Sequence, residues 1–330
     1  MGLWYSISGI LLLLFFVVIG IEGIGLYSFY TIFIPYAAVL LFVVGFIYRV
    51  LKWASSPVPF HIPTVCGQQK SLPWIKRANI DSPHTTGGVV KRLALEILLF
   101  RSLLKNEKVD LEAPHRLLFR TSVLLWLGAM AFHWSLLIII LRHLRFFLEP
   151  VPIVLIVLQR LDSILQNLMP IIYISDVIIL IALAYLLLRR VIYPQVKYIS
   201  LPSDYFVLFM IAGIALSGVL MRLIFKVDLV QVKEWVMAML SLRPMPPKGV
   251  NLLFYIHLFF VSLLIAYFPL SKLMHMPGIF LSPTKNLRNT SRNDRHFNPW
   301  DHPVDVHTYK EYEEEFGESM KEVGLPVEKE

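Results

Sequence analysis

The chain has 330 residues, of which 56% are hydrophobic and only 16% are charged, and its formal net charge is +8. A soluble domain of this length needs more polar residues to cover its surface, so the composition excludes a single soluble globular domain and indicates an integral membrane protein. The sequence has no basic patch interleaved with aromatic residues, so DNA or RNA is not an expected partner.

Six apolar runs are long enough to cross a bilayer as helices, which takes about 20 residues each. They cover residues 3–25, 29–51, 118–141, 171–193, 205–225 and 250–274. The first run has no basic residue before it and is followed almost at once by the second, so we expect it to remain as a helix and not to be cleaved as a signal peptide. The expected fold class is all-α, a polytopic membrane bundle of about six transmembrane helices.

Lys and Arg residues are divided unevenly between the segments that join these runs. Ten lie in the loop 52–117, one in 194–204 and seven after residue 274, whereas 26–28, 144–170 and 226–249 together hold six. Short basic segments stay in the cytoplasm. We therefore expect a multi-pass protein of the cytoplasmic membrane with both termini in the cytoplasm.

Several segments outside the apolar runs have helical patterns of their own. Residues 149–170 and 228–240 are amphipathic and are expected to lie along the outer membrane surface. Residues 93–105 place charges in a mainly apolar helix pattern, which suits a membrane-surface or partner-docking helix. We divide the chain into a bundle, 1–276, with its cytoplasmic loop 52–117, and a polar cytoplasmic tail, 277–330, whose last part has too few apolar residues to form a core and is expected to dock on a partner.

Cysteine usage restricts the possible metal centres. The single cysteine, Cys66, excludes an iron–sulfur cluster held by this chain alone, an internal disulfide and haem attachment through a CxxCH pattern. Any metal centre must therefore use histidine. Six of the ten histidines lie in the polar loop or tail: His61, His84, His115, His296, His302 and His307.

The other four histidines, His133, His143, His257 and His275, lie in or at the ends of the third and sixth runs. On continuous helices the first two are about 15 Å apart and the last two about 27 Å apart. Antiparallel packing would bring His143 near His257 at the outer side and His133 towards His275 at the inner side. Two levels with two imidazoles each are what two six-coordinate haem b groups need. Eighteen residues are five helical turns, so we expect His257 and His275 to share a face, while tilted helices absorb the unequal separations.

A histidine near a helix end can also be an interfacial residue without a ligand, and His143 lies between Arg142 and Arg145. On that alternative the chain is a secondary transporter or a passive membrane anchor. No internal repeat supports a transporter, and only Pro35 and the Gly213–Gly218 region are candidates for broken helices. The sequence offers no nucleophile, Walker loop or hydrolytic dyad. We therefore expect an electron-transfer subunit that is an oxidoreductase only within a complex.

Histidines spaced ten and eighteen residues apart in a small bundle resemble those of the haem b subunit of respiratory nitrate reductase, its gamma chain. The cytochrome b subunit of membrane-bound heterodisulfide reductase belongs to the same broad family. Within that family the chain is most similar to the DsrM or HmeC branch of sulfite-reduction-associated membrane subunits. This branch has an extra N-terminal span, a long basic loop before the first haem helix, and a tail like MPGIFLSPTKNLRN followed by NPWD. The resemblance is strongest over residues 118–290.

The resemblance implies that His133 and His275 ligate one haem b near the cytoplasm and that His143 and His257 ligate a second near the outer face. Members exchange electrons between a membrane quinone, here expected to be menaquinol, and a cytoplasmic iron–sulfur subunit that resembles the catalytic heterodisulfide reductase subunit. The branch implies further membrane and extracytoplasmic subunits and a link to dissimilatory sulfur metabolism. The nitrate reductase gamma chain itself is the alternative within the redox class.

Quinol oxidation releases protons, so a site near the outer haem needs a base and a route to water. Glu22, at the outer end of the first run, and Asp176, just inside the fourth, lie at this depth. Arg160 and Asp162 lie on the amphipathic segment that is expected to cover such a pocket. Each of these four residues could equally be a solvated interface residue.

Overall fold

The computed structural model describes residues 2–56, 67–105, 107–112, 116–167, 172–290 and 306–328. Cys66 and four of the loop and tail histidines, His61, His115, His296 and His302, lie outside the described residues. The helices of the first half are α1 Gly2–Val18, α2 Ile34–Ala54, α3 Thr86–Leu99, α4 Arg101–Leu104, α5 Val123–His143 and α6 Ile153–Asp162. Those of the second half are α7 Ile174–Ile192, α8 Pro194–Ile199, α9 Pro202–Leu223, α10 Leu229–Leu240, α11 Leu252–Tyr267, α12 His275–Leu281, α13 Pro283–Asn286 and α14 Tyr309–Glu322.

Among the described residues, five helical segments are long and apolar enough to cross a membrane. With the short turns that extend them, they are Gly2–Gly23, Phe29–Ala54, Val123–Phe146, Pro202–Leu223 and Leu252–Leu270, with mean hydropathies of 2.1 to 2.4. Helix α7 has 19 residues, about 28 Å at the usual rise, but it carries Asp176, Arg189 and Arg190. The prediction of an all-helical, multi-pass membrane bundle is confirmed, with α7 as the most polar of its long helices.

Helix α9 lies at the centre of the bundle, where it packs against α1, α7 and α11, while α2 packs on α11 and α5 packs on α7. The α5–α7 contact is close because Gly128 faces the ring of Tyr185, and a Cβ at that glycine would lie only 2.5 Å from the ring. A buried core joins α5, α7 and α9 through Phe132, Ile179 and Ile211 among others. Many apolar side chains point outward, as expected of surfaces in contact with lipid.

The two ends of the bundle are distinguished by their connections. At one end the Ser6 hydroxyl donates to the carbonyl of Pro202 at 2.7 Å, and Lys272 forms an ion pair with Asp204 at 2.8 Å. We call this the terminal end, because α1 begins and α11 has just ended there. The opposite end carries α6 and α10, which match the amphipathic segments predicted at 149–170 and 228–240. Helix α10 rests on the bundle, and the hydroxyl of Tyr36 donates to the carbonyl of Met239 at 2.7 Å.

The third span begins later than predicted. Residues 118–121, which we assigned to the span, belong to the second strand of a hairpin formed by β1 (Glu107–Glu112) and β2 (Arg116–Thr121). The strands are antiparallel and pair Val109 with Phe119. Charged residues alternate with apolar ones in β1, a period of two that suits a strand and not a membrane helix. Helix α5 starts at Val123, so His133 lies about 15 Å from its first residue.

The sixth span is not one continuous helix, which corrects the prediction that five helical turns separate His257 from His275. Helix α11 ends at Tyr267, two short 3-10 turns follow, and His275 is the first residue of α12. The interruption contains Pro269, which lacks an N–H and clashes with the preceding turn of a helix. Because the helix is interrupted, the separation of about 27 Å that a continuous helix would impose on His257 and His275 does not apply.

Residues 67–105 and 282–290 fold together at the terminal end, and we call this unit the platform. Buried Arg92 of α3 hydrogen-bonds to the carbonyls of Lys285 and Leu287. The backbone N–H of Asn289 donates to the carbonyl of Pro83 at 2.8 Å. The loop before the third span is therefore joined to the segment after the sixth.

The platform also contains a salt-bridged carboxylate. Asp81 binds Arg101 through both guanidinium nitrogens and Lys105 at 2.8 Å. These hydrogen bonds, that of Arg101 first, hold the pKa of Asp81 at about 2, below the ordinary value for aspartate. Because the folded-state pKa is depressed, this carboxylate stabilises the platform above about pH 4, and the contribution is lost as the pH falls towards 2.

The described part of the distal tail forms a helix, α14. Thr308 caps its first turn: the Thr308 hydroxyl accepts from the backbone N–H of Glu311, whose carboxylate accepts from the N–H of Thr308. This capping box explains why an acidic segment begins a helix at this residue. Tyr309, Tyr312 and Phe316 are exposed along it.

Candidate functional site

The four histidines of the third and sixth spans meet in two pairs. At the terminal end the ring centroids of His133 and His275 are 6.0 Å apart, with an angle of 85° between the ring planes. Towards the opposite end the centroids of His143 and His257 are 6.4 Å apart, and their planes are within 15° of parallel. These are the pairs that antiparallel packing predicts.

Each of the four rings is oriented by a hydrogen bond from Nδ1. His133 bonds to the carbonyl of Ala129 at 2.8 Å, and His143 bonds to the carbonyl of Ile139 at 2.7 Å. His275 bonds to the carbonyl of Lys272 at 2.8 Å. A carbonyl can only accept, so each Nδ1 carries the proton and each Nε2 keeps its lone pair. Metal-binding histidines commonly have this arrangement, which fixes the tautomer and the ring orientation.

His257 is oriented from a different helix. Its Nδ1 lies 3.1 Å from the carbonyl of Ile214 and 2.9 Å from the hydroxyl of Ser217, both on α9. Ser217 in turn donates to the carbonyl of Gly213 at 2.7 Å. Gly218 also faces this ring, with 3.4 Å between a Cβ built there and Cε1 of His257. The Gly213–Gly218 region therefore does not break α9 but lets it approach the imidazole.

The spacing of each pair fits two nitrogens bound to one metal ion. Metal–nitrogen bonds of about 2 Å, with about 1 Å more from each nitrogen to its ring centre, separate the centroids of two trans imidazoles by about 6 Å. Each pair offers only two ligands. Within the described ranges no group of three or more His, Cys, Asp or Glu side chains could hold a bare ion. Two axial nitrogens suit a metal whose other positions are filled by a macrocycle, as in haem.

The terminal pair is in contact with the platform. The ring of Phe100, between α3 and α4, lies 4.9 Å from the ring of His133 in an edge-on arrangement, and Phe132 lies 5.0 Å from it. Two tryptophans of α5 fix this contact: Trp126 donates to the carbonyl of Leu99 at 2.6 Å, and Trp134 donates to that of Leu98 at 3.1 Å. The segment predicted as a membrane-surface or partner-docking helix, 93–105, thus reaches His133.

The opposite pair lies beside a buried charge cluster. Arg142, the residue before His143, forms ion pairs with Asp176 at 2.9 Å and Asp162 at 3.2 Å. Arg222 of α9 approaches Asp176 at 3.4 Å. Two arginines and two aspartates balance in charge, which is the condition for burying them in a membrane protein.

Further contacts complete this cluster. The guanidinium carbons of Arg142 and Arg222 lie 3.8 and 4.0 Å from the ring centroid of Tyr173. Ser175 donates to Asp162 through its backbone N–H at 2.8 Å and through its hydroxyl at 2.7 Å. The cluster therefore ties together α5, α7, α9 and the end of α6.

A cavity of about 650 Å³ lies next to the cluster, between the turn after His143 and the helices α6 and α10. This volume is in the range of small-molecule sites. Phe146 lines the cavity, and its ring centroid is 6.0 Å from that of His143. The polar part of the lining is charged or amide-bearing: Arg145, Glu149, Gln159, Arg160, Lys233 and Glu234. Its apolar part is Phe146, Val151, Ile156, Leu229, Val230 and Met237.

The structure places the four predicted quinone-site residues in three different settings. Arg160 lines the cavity. Asp162 and Asp176 are bound to Arg142 in the charge cluster. Glu22 is exposed in the π-helical turn Ile19–Gly23 and does not line the cavity.

Sequence reasoning did not find Arg142, Arg222 and Tyr173 as members of a cluster, or Phe100 as a neighbour of His133. One signal for the arginines was available. Both lie at the end of the bundle predicted to face outward, where basic residues are disfavoured and a buried role is the usual explanation. No comparable signal points to Phe100.

The chain is similar to known proteins along most of its length. Residues 94–291 match the family model described as nitrate reductase gamma subunit. A protein of Archaeoglobus fulgidus described as an Hdr-like menaquinol oxidoreductase cytochrome b-like subunit is 43% identical over 284 residues, which cover 84% of each chain. A protein of Archaeoglobus profundus with the same description is 42% identical over 283 residues, which cover 84% of this chain and 83% of that one.

The bundle and its two imidazole pairs define a multi-pass helical membrane protein with histidine pairs at two depths. The matched region, 94–291, includes both pairs and part of the platform. The chain belongs to the nitrate reductase gamma subunit family. The resemblance to that family is confirmed.

We expect Arg142→Met to destabilise the protein strongly. The change leaves the buried carboxylates of Asp162 and Asp176 without their shared cation, which should lower the free energy of unfolding by about 3–5 kcal/mol. Thermal unfolding in detergent measures this decrease in stability. The matched control is Arg145→Met, because Arg145 hydrogen-bonds to the neutral side chain of Gln159 and its loss is expected to cost about 1 kcal/mol or less. Equal destabilisation by the two changes would contradict a buried ion-pair role for Arg142.

Proposed function

We propose that this chain is the diheme cytochrome b subunit of a quinone-linked oxidoreductase complex, oxidising menaquinol and passing electrons to an iron–sulfur subunit at the terminal end. The observation that carries the proposal is that four imidazoles form two pairs. In each pair both Nδ1 atoms are hydrogen-bonded to backbone carbonyls, and the ring centroids are about 6 Å apart. The names of the Archaeoglobus relatives, which include cytochrome b-like and menaquinol oxidoreductase, support it.

In this proposal His133 and His275 hold one haem b and His143 and His257 hold the other. Bound haem iron supplies one-electron transfer between its ferric and ferrous states. The chain orients each imidazole through the carbonyl bound to Nδ1. The two ligands on α5 are ten residues apart, about 15 Å along the helix. The two sites would therefore connect the opposite end of the bundle to the terminal end.

The cavity beside Phe146 is the proposed menaquinol site. An apolar lining from α6 and α10 suits the ring system of a quinone, and Gln159 and Arg160 offer hydrogen bonds to its oxygens. Quinol oxidation releases two protons with two electrons, and Glu149 and Glu234 on the same lining are the proposed acceptors. Glu149 already forms an ion pair with Lys233. In this proposal Asp162 and Asp176 have a structural role, because their ion pairs with Arg142 hold α6 over the cavity. Glu22 remains a predicted proton acceptor.

The platform is the proposed docking surface for the iron–sulfur subunit. Its residues 67–105 and 282–290 contain nine Lys or Arg and two Asp or Glu. Trp74 is 78% exposed beside Lys76 and Arg77, and Leu72 is also exposed. A large exposed aromatic residue with basic neighbours favours a partner with an apolar pocket and an acidic rim. The acidic helix α14 would contact a different, basic part of that partner.

The proposed partner resembles the catalytic heterodisulfide reductase subunit, as the word Hdr-like in the relatives' names suggests. We further propose that the chain is of the DsrM or HmeC type, in a complex with additional membrane and extracytoplasmic subunits linked to dissimilatory sulfur metabolism. The excess of Lys and Arg at the terminal end supports a cytoplasmic platform, with both termini in the cytoplasm. Electrons would then move inward across the cytoplasmic membrane.

A reduced-minus-oxidised visible spectrum of the purified chain tests the redox class against a transporter or an anchor. We expect haem b bands and two haems per chain. His143→Ala or His257→Ala should reduce the content to one haem, because a single imidazole is left at that level, and His133→Ala or His275→Ala should do the same at the other. His307→Ala, in the exposed tail, is the control and should retain two. An unchanged haem content in all four variants would overturn the ligand assignment.

The cavity assignment is tested by filling it. Val230 lines the cavity and is exposed to it, so Val230→Trp should exclude a quinone without disturbing the core. Reduction of the chain by a menaquinol analogue should slow at least about tenfold, with the visible spectrum unchanged. Leu240→Trp, on the same helix and outside the lining, is the control. Normal reduction of the Val230 variant would place the quinol elsewhere.

Docking is tested by truncating the exposed platform tryptophan. Trp74→Ala should weaken association with the iron–sulfur subunit by about 2 kcal/mol or more, the usual loss for a central interface tryptophan. Co-purification and titration of the isolated complex measure the change. Tyr198→Ala is the control, since Tyr198 is an exposed aromatic residue of α8 outside the platform. An unchanged affinity of the Trp74 variant for the iron–sulfur subunit would exclude Trp74 from the docking surface.

A further inference from the structure

The side chain of Phe100 connects the platform to the terminal imidazole pair. Its ring lies edge-on to His133 with 4.9 Å between centroids, while His275 lies 6.0 Å from the same imidazole. Because the Nδ1 bond to Ala129 already holds one edge of His133, the phenyl ring restricts rotation of the imidazole about its remaining free torsion. Phe100 therefore restricts the ring plane of His133, which is a proposed haem ligand.

The backbone at Phe100 supports a specific role for this residue. Phe100 has φ of +45°, a left-handed conformation that favours glycine and is rare for a bulky residue. It ends α3 and begins α4, where a glycine would satisfy the turn without strain. Residues held in this conformation cluster at functional sites, where the surrounding structure enforces them.

Contacts on both sides enforce this conformation. The carbonyls of Leu98 and Leu99 accept hydrogen bonds from Trp134 and Trp126 of α5. After the turn, the backbone N–H of Ser102 donates to the carboxylate of Glu96 at 3.0 Å. Glu96 also lies 3.6 Å from Lys285, which belongs to the platform segment after the sixth span. The turn is thus fixed to the membrane helix on one side and to the platform on the other.

We propose that Phe100 is a positioning residue for the terminal haem: it sets the ring plane of His133 and ties that ligand to the platform on which the partner docks. The inference rests on the proposed function. Glycine would fit the backbone conformation of this turn better than phenylalanine. The contact of the phenyl ring with His133 explains why a phenylalanine occupies the position.

The experiment uses the full chain with its haems. Phe100→Gly removes the ring and relaxes the backbone, so the fold should be retained. We expect the low-spin EPR signal of the terminal haem to shift, because ligand-plane orientation sets that signal. The rate of haem transfer from this site to apomyoglobin should increase about tenfold, because the loss of a residue that orients a metal-binding histidine typically lowers metal affinity by at least this factor. The signal that persists in His143→Ala identifies the terminal haem, and the other haem should be unchanged. Phe100→Tyr, which keeps the aromatic ring, should restore both readouts.

Leu242→Gly is the matched control. Leu242 is the other described non-glycine residue with a positive φ, +56°, and it is exposed on the turn after α10. The Leu242→Gly variant should have the same EPR signals and haem-transfer rates as the unmodified chain. A Phe100→Gly protein with an unshifted terminal signal and unchanged haem transfer overturns the inference, and so does an equal effect on both haems, which would indicate general loosening. An unmodified chain without haem would overturn the proposed function itself.

Discussion

The orientation of the site depends on hydrogen bonds from four imidazole Nδ1 atoms to backbone carbonyls. On α5 the acceptors lie one turn before each histidine, at Ala129 and Ile139, so the helix that carries the imidazole also orients it. For His257 the acceptors belong to α9, so its orientation depends on helix packing. The imidazoles meet in pairs because helix packing sets the depth of each helix in the bundle. Helix packing therefore also determines the geometry of the two histidine pairs.

The two levels of the bundle are specialised differently. Around His143 and His257, opposite charges are buried against one another and a cavity opens beside Phe146, which suits the exchange of a small molecule together with protons. Around His133 and His275 lie aromatic side chains and the basic platform, which suit contact with a protein. The asymmetry agrees with electrons entering at one level and leaving at the other, as the proposed function requires.

Composition and spacing predicted the bundle, its two amphipathic helices and the pairing of the four histidines, because hydropathy and helix rise can be read along the chain. The sequence reasoning failed where one residue or a tertiary contact decides the outcome. Pro269 interrupts a run whose hydropathy is continuous, and it could have been noticed. Arg142 pairs with a carboxylate 34 residues away, and Phe100 meets His133 only after the loop folds back, so local patterns do not contain either contact.

The interruption after Tyr267 makes the two levels mechanically unequal. His257 lies inside α11, and His143 is the last residue of the 21-residue helix α5, so each is attached to a long regular helix. His275 instead follows two short 3-10 turns, where far fewer bonds resist a local opening. On heating or in harsh detergent the segment that carries His275 should therefore loosen before α5 and α11 unfold.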